Sequence, residues 1–447
     1  MHIVESFHNI FKIPELRKRI FWTFGLLVVF RLGSHIALPG VNPLAIHQFQ
    51  EQMAREGGGI FHLMQVFSGG ALGNLALFAL GIMPYITASI IMQLMTKVSP
   101  TLEAISKEGP SGHRKIHQYT RYATIPVCLV QGLFAARQLA HLSEVQAAGG
   151  MSPILMGTGF GTMLFLMLGL TGGALFIMWL GEQITDRGIG NGASVLIMSG
   201  IVARMPAILG EMIREAQNKT ISADAIVIIL GVYLATIVAI VFVTQAQRRI
   251  PLQHAKHIRG RRVLSGGRNY LPLRVNTSGV MPVIFASSLL VLPQMLSLIP
   301  GMRWIGEIFH RGYFFYSVFY VTTIIFFAYF WTYLFFQPQE IALQLKESGS
   351  FVPGIRPGEN TAQYLDTILS RITLCGAVFL CVIALLPDLI SVALHVDRYL
   401  VAFLGGTGIL IVVGVGLDII QKIESYLLMH HYGGFLGAGG IRGRRGR

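Results

Sequence analysis

Charge is what this chain has least of for its size. Asp, Glu, Lys and Arg make up 13% of its 447 residues, against about 25% in a soluble globular protein. That excludes an ordinary water-facing domain over most of its length. Cysteine is nearly absent. Cys128, Cys375 and Cys381 each sit in an apolar run without metal-type spacing, so they read as small apolar residues and not as disulfides or ligands. His113 with His117, and His254 with His257, lie among Lys and Arg, which disfavours a bound cation. A Walker-type phosphate loop is missing. Gly188-Ile189-Gly190-Asn191-Gly192 is glycine-rich but lacks a preceding strand and an acidic partner, and it reads as the flexible lead into a short span.

What is present is apolar length. Hydrophobic residues make up 53% of the chain and mean hydropathy is +0.60. Apolar runs of about 20 residues recur throughout, the signature of a polytopic helical membrane protein. Ten spans are expected, near 20–39, 75–96, 119–140, 157–180, 193–210, 223–245, 276–298, 313–336, 365–386 and 399–420. They are almost empty of ionisable groups. Arg204, Asp366, Arg371 and Asp418 fall near span ends, where they reach the interface, and Arg31 alone lies deep. A proton- or ion-coupled transporter keeps carboxylates or His near the midplane. Their absence counts against the main alternative, a secondary transporter of a small solute on an inverted repeat. No catalytic residue, metal or cofactor is expected, and any energy source must be a partner.

The cations set the topology. An even number of spans puts both termini on one side. That side holds 26 of the 35 Lys and Arg, and the other holds 8, so both termini are expected in the cytoplasm. The loop from Arg248 to Arg274 is the most basic outside the tail, and suits anionic lipid, nucleic acid or an acidic protein face. The loop Phe351-Val352-Pro353-Gly354-Ile355-Arg356-Pro357-Gly358 holds one Arg between two Pro-Gly turns, which suits a partner contact. Five spans precede the hydrophilic stretch Glu211 to Thr220 and five follow it, a division compatible with two inverted halves. The expected organisation is an N-terminal half over 1–210, an external hinge over 211–222 and a C-terminal half over 223–421 with cytoplasmic loops at 246–275 and 337–364. A basic tail, 422–447, follows.

One stretch stands out. A short apolar segment, Phe61 to Phe67, breaks at Gly69-Gly70 and resumes as a long uncharged run to Met95. This suggests a helix that enters partway, turns, and precedes a full span. Non-helical backbone at that depth must line a cavity or be buried in protein, because lipid cannot satisfy its polar groups.

Long motifs carry a resemblance. They include Phe30-Arg31-Leu32-Gly33-Ser34, Phe67-Ser68-Gly69-Gly70-Ala71-Leu72 and Ala79-Leu80-Gly81-Ile82-Met83-Pro84-Tyr85-Ile86. Further along come Trp179-Leu180-Gly181-Glu182-Gln183-Ile184-Thr185, Leu271-Pro272-Leu273-Arg274-Val275-Asn276, Ile284-Phe285-Ala286-Ser287-Ser288 and the Pro-Gly loop around Arg356. In these, over about Arg17 to Gln421, the chain resembles the SecY family, the large subunits of the bacterial protein-conducting channel. The resemblance implies an all-α fold of ten transmembrane helices, in two five-helix inverted-repeat halves around an hourglass pore with a plug helix.

The resemblance also implies sites. The pore ring would be Ile82, Ile86, Ala193, Ile197, Ile284 and Ile411; Ile82/Ile86 and Ala193/Ile197 are i,i+4 pairs, each showing one helix face. The plug would be 61–72, with Phe61, Met64, Phe67, Ser68, Gly69, Gly70 and Leu72. The lateral gate would hold Thr87, Gln93, Gln131, Asn276, Ser287 and Ser288, whose competing role is to satisfy backbone near Pro84 and Pro282. Docking of the motor ATPase SecA or the ribosome, whose rRNA phosphates suit basic loops, would fall to Arg356, Arg248, Arg249, Lys256, Arg259, Arg261 and Arg262. Other implied partners are the small subunits SecE and SecG, signal peptides, nascent polypeptides and membrane lipid. The location implied is the bacterial inner membrane.

Overall fold

The computed structural model describes residues 13–42, 68–148, 153–157, 159–218, 222–254, 257–259, 262–264, 268–296, 304, 308, 314–394, 396, 401 and 406–438. In chain order these form α1 (Pro14–Gly33), α2 (Met83–Val98), α3 (Pro100–Lys107), α4 (Pro110–Ala148), α5 (Phe160–Arg187), α6 (Gly192–Gln217) and α7 (Ala223–Gln245). Four strands follow: β1 (Gln247–His254), β2 (His257–Arg259), β3 (Arg262–Leu264) and β4 (Arg268–Arg274). Then come α8 (Met281–Leu296), α9 (Phe314–Phe335), α10 (Pro338–Glu347), β5 (Ser350–Phe351), α11 (Glu359–Leu394) and α12 (Thr407–Ala438). Among the described residues, six helical stretches are long and apolar enough to cross a membrane.

Helix ends follow local chemistry. Pro14, Pro84, Pro100 and Pro338 each sit in a first turn, where the missing N–H has no intrahelical partner to lose. Ser222 caps α7, its side chain accepting from the Ala225 N–H.

The chain divides into two compact units. The first comprises Met1–Arg55, Met64–Arg204 and Val415–Arg447; the second comprises Glu56–Leu63 and Met205–Gly414. In the first, α4 packs on α2 and α5, and α1 packs on α5. An aromatic row of Phe30, Phe78, Phe176 and Trp179 runs through it, with neighbouring centroids 6.1, 5.9 and 5.5 Å apart. Gly33 makes room for this row, since a Cβ there would lie 2.0 Å from the Phe78 ring. In the second unit, α9 packs on α8 and α11, and Phe285 lies against Phe327 and Trp331.

Three expectations are corrected. The run expected to become helical near 75 stays irregular until Met83. Leu75 has φ +46° and Gly81 φ +57°, which no right-handed helix tolerates. The segment instead pairs with the end of α1: Leu77 N–H donates to the Ile36 carbonyl at 2.8 Å, and Leu38 N–H to the Leu75 carbonyl at 2.9 Å. Second, the helix expected over 193–210 runs on to Gln217, so Arg204 lies in the interior of α6. Third, the Gly188–Gly192 turn is tied down and not flexible. Ile189 N–H donates to Thr23 Oγ1 at 3.1 Å, Gly192 N–H to Thr185 Oγ1 at 2.9 Å and Arg19 Nη1 to the Gly188 carbonyl at 3.3 Å. A Cβ on Gly192 would fall 1.7 Å from the Gly181 carbonyl, so only glycine lets the turn close onto α5.

The sequence reading held no strands, yet the basic loop folds as a sheet in the order β4-β1-β5. The pairing is antiparallel, with Arg249 opposite Pro272 and Ile250 opposite Leu271. Alternation on β1 turns Ile250 and Leu252 inward and Arg249, Pro251 and Gln253 outward.

Candidate functional site

The first unit carries a half-open cavity of about 400 Å³ whose wall includes Ile82, Ala193, Tyr85, Arg121, Gly181 and Glu182. Ile82 caps the N-terminus of α2, and Ile86 N–H donates back to its carbonyl at 3.1 Å, so the two share one face. Ala193 and Ile197 repeat that spacing at the start of α6. Gly181 lies against both: a Cβ there would sit in ordinary contact, 3.5 Å from Ile82 Cδ1 and 3.6 Å from the Ala193 nitrogen. Ile82, Ile86 and Ile197 are buried and Ala193 is half-buried. The structure thus brings Ile82 and Ala193 onto one cavity wall. Ile284 on α8 and Ile411 on α12 belong to the second unit and are buried.

The cavity's polar side is fixed by an ion pair across α4 and α5, Arg121 Nε to Glu182 Oε1. On α3, Lys107 donates to Glu103 at 2.9 Å and holds its carboxyl below the usual range.

Of the residues assigned to a plug, Phe61, Met64 and Phe67 lie outside the described residues. Ser68, Gly69, Gly70 and Leu72 are described and buried. Ser68 Oγ accepts from the Leu72 N–H at 3.3 Å. Gly69 has φ +62° and Gly70 φ +92°, and both are crowded. A Cβ on Gly69 would lie 2.7 Å from Gly200 Cα, and one on Gly70 2.7 Å from Arg204 Nε. Arg31 Nη1 donates to the Gly69 carbonyl at 3.1 Å. The segment from Ser68 to Ile82 is therefore irregular backbone buried in protein, one of the two settings in which membrane-depth backbone is tolerated. From sequence, Gly200 is not singled out, and Arg204 is named only as a charge near a span end. A small residue on α6 facing a Gly-Gly break was the available signal.

The six residues assigned to a gate bond locally, except that Gln131 of α4 reaches Thr87 of α2. Thr87 Oγ1 donates to the Met83 carbonyl at 3.0 Å, Gln93 Nε2 to Ser89 Oγ at 3.1 Å, and Gln131 Nε2 to Thr87 Oγ1 at 3.5 Å. Asn276 Nδ2 donates to the Gly279 carbonyl at 3.0 Å, and the Ser287 and Ser288 hydroxyls both donate to the Ile284 carbonyl at 2.8 Å. Ser287 and Ser288 bond back one turn, as hydroxyls in helices do.

Of the residues assigned to docking, Arg248, Arg249 and Arg356 lie on one module of the second unit. Ile250, Leu252 and Leu273 of the sheet, Val352 after β5, and Leu365 and Ile368 of α11 form a single apolar core. β5 joins β1 through Gln253–Phe351 and His254–Ser350. The module presents Arg248, Arg249 and Arg356 exposed. Arg356 is braced by Gly354 at φ +83° and Gly358 at φ +108°, and its carbonyl accepts from Thr361 Oγ1 at 2.9 Å. Arg259 and Arg262 pair across β2 and β3; Lys256 and Arg261 lie outside the described residues.

Comparison with known proteins gives one answer. The SecY family model matches residues 76–420. The protein translocase subunit SecY of Thermotoga maritima is 42% identical over 443 residues, 99% of this chain and 100% of that protein. The subunit of the same name from Escherichia coli K12 is 40% identical over 438 residues, 96% of each chain. Among solved structures, a protein-conducting channel aligns with TM-score 0.63 at 18% identity, covering 93% of this chain and 96% of its own. Sec61 in the canine ribosome–channel complex aligns with TM-score 0.60 at 17% identity, with the same coverage. These likenesses establish the channel fold.

Proposed function

This chain belongs to the SecY family, and from that premise we propose how its parts divide the work of a protein-conducting channel. It is the pore-forming subunit, passing unfolded polypeptides across a membrane and releasing transmembrane segments sideways into lipid. Ile82, Ile86, Ala193, Ile197, Ile284 and Ile411 form its constriction. An apolar collar dewets and resists ions, yet makes no directional bonds to a sliding chain and so does not select by side chain. The segment 61–72 is the plug, hung from the root at Ser68–Gly70. The observation that carries this reading is the buried, irregular run from Ser68 to Ile82. A membrane-depth segment that gives up helical bonding needs protein around it, and this run ends at a residue on the cavity wall.

Thr87, Gln93, Gln131, Asn276, Ser287 and Ser288 line the lateral gate, and an apolar signal segment must compensate for the bonds it displaces, about 0.6–2 kcal/mol each. The residues 1–210 and 223–421 form the two halves. Both termini and the Arg248–Arg274 and Arg356 loops face the cytoplasm of a bacterial inner membrane. The chain catalyses nothing itself. SecA or a translating ribosome docks on the basic module and supplies the energy, and SecE and SecG complete the complex. Reconstitution tests this: the chain with its small subunits in vesicles, given SecA, ATP and a precursor protein, should render the precursor protease-resistant. Full digestion of the precursor despite SecA binding would overturn it.

A further inference from the structure

The cavity that holds Ile82 and Ala193 is not lined by apolar groups alone. Its wall carries two cations, Arg114 and Arg121, and two anions, Glu182 and Asp186. Arg121 and Glu182 are ion-paired, with side chains 47% and 19% exposed; Arg114 and Asp186 are both exposed. Packing does not require these charges, because α4 and α5 pack extensively on each other and a partly exposed pair contributes little stability. Fixed charge beside a narrow apolar constriction acts instead on what passes it. Low-dielectric walls concentrate the field there, so a wall with an excess of one sign would hold back or draw in charged segments of a moving chain. Two of each sign cancel.

We propose that Arg114, Arg121, Glu182 and Asp186 form a balanced charge shelf at the constriction, which lets basic and acidic segments of a translocating polypeptide pass at similar rates. This rests on the reading that the polypeptide passes Ile82 and Ala193. The shelf makes the apolar collar's indifference to side chains hold for charged residues as well. One uncancelled unit charge about 8–10 Å from the path should change the transit of a charged segment by about two- to fivefold.

The test uses the reconstituted complex with SecA and ATP, without a membrane potential, and two precursors that differ only in a short lysine block or a short glutamate block. The readout is the ratio of their translocation times. Glu182→Gln should raise the lysine-to-glutamate ratio two- to fivefold, Arg121→Gln should lower it by a like factor, and the double variant should return to the parent value. Asp186→Asn, at an exposed site outside the ion pair, should move the ratio as Glu182→Gln does and covers the case in which breaking the pair harms folding. An unchanged ratio in the single variants, or a shift in the same direction for both signs, would overturn the proposal. Gln118→Cys, on the same wall, separates this from the underlying reading. A disulfide from this site to a single cysteine in a stalled precursor places the chain in the cavity, so an unchanged ratio then defeats the shelf alone. Absence of that disulfide defeats the path, and the shelf with it.

Discussion

Arg31 shows how much a single residue reveals before its surroundings are known. Its depth in an apolar run marks it as costly and therefore purposeful, and that much is visible in the sequence. Its partner is not. Gly69 is 38 positions away, and the bond from Arg31 exists only because the Ser68–Ile82 run folds back along the end of α1. The end of α6 is misplaced for a related reason: hydropathy ends the span near 210, whereas the helix continues through Glu211 and Arg214 to Gln217. Removing the charged donor while keeping the side chain polar isolates the bond. A hydrogen bond to a charged group contributes about 1.5–3 kcal/mol, and Arg31 is only half-buried, so the lower figure applies. Arg31→Gln should therefore raise the population of the released root about tenfold. Ser68 is fully buried, which makes Ser68→Cys a reporter. In the Arg31→Gln background that cysteine should react with a water-soluble maleimide about ten times faster in resting vesicles, and ion leak should rise with it. Equal labelling in the two backgrounds would show that other contacts, such as Gly69 against Gly200 and Gly70 against Arg204, hold the root without the Arg31 bond.

At the scale of elements, the helices were legible and the sheet was not. Apolar length announces a helix in a membrane whatever the details, which is why α7, Ala223–Gln245, falls where hydropathy places it. The strands hide for two reasons. Pro251 and Pro272 argue against strand interiors, and the charge of the loop masks the two-residue alternation of Ile250 and Leu252. Pro272 is tolerated on the edge strand β4, and Pro251 on the part of β1 that β5 does not cover. The Pro-Gly tip around Arg356 was readable, because two left-handed glycines fix a turn locally. That the tip and the hairpin share one core was not, since it depends on contacts from β1 to α11. Two variants separate folding from docking in this module. Leu273→Ala removes a fully buried side chain from the shared core, at a cost of about 2–4 kcal/mol, and should expose Arg248 and Arg249 to faster trypsin cleavage. Arg356→Glu should leave trypsin cleavage at the parent rate while SecA-driven translocation collapses. If Arg356→Glu translocates normally, the tip is not the docking contact; if it instead speeds cleavage, its role is structural.

On the scale of the whole molecule, topology is decided by two independent constraints that must agree. The first is the distribution of cations, 26 against 8; cationic loops resist translocation, so the proposed topology puts the basic loops in the cytoplasm. The second is the sheet. β1 bonds to β4 on one edge and to β5 on the other, with His254 opposite Ser350. Strands joined by backbone hydrogen bonds cannot lie on opposite sides of a bilayer, so the loop 247–274 and the loop at 350–351 must share a face whatever the cations say. The apolar core of Ile250, Leu273, Val352 and Leu365 adds a second tie between them. Fusions of a reporter that is active only in the cytoplasm, placed after Gly266 and after Gly349, test both constraints together. Gly266 lies in the basic loop, and Gly349, at φ +66°, turns the chain from α10 into β5. Both fusions should be active, and a partner reporter that requires export should be silent at both sites. Export of both would reverse the cation argument while leaving the sheet intact. Activity at one site and export at the other would break the sheet, and with it the single docking module on which the Arg356 prediction depends.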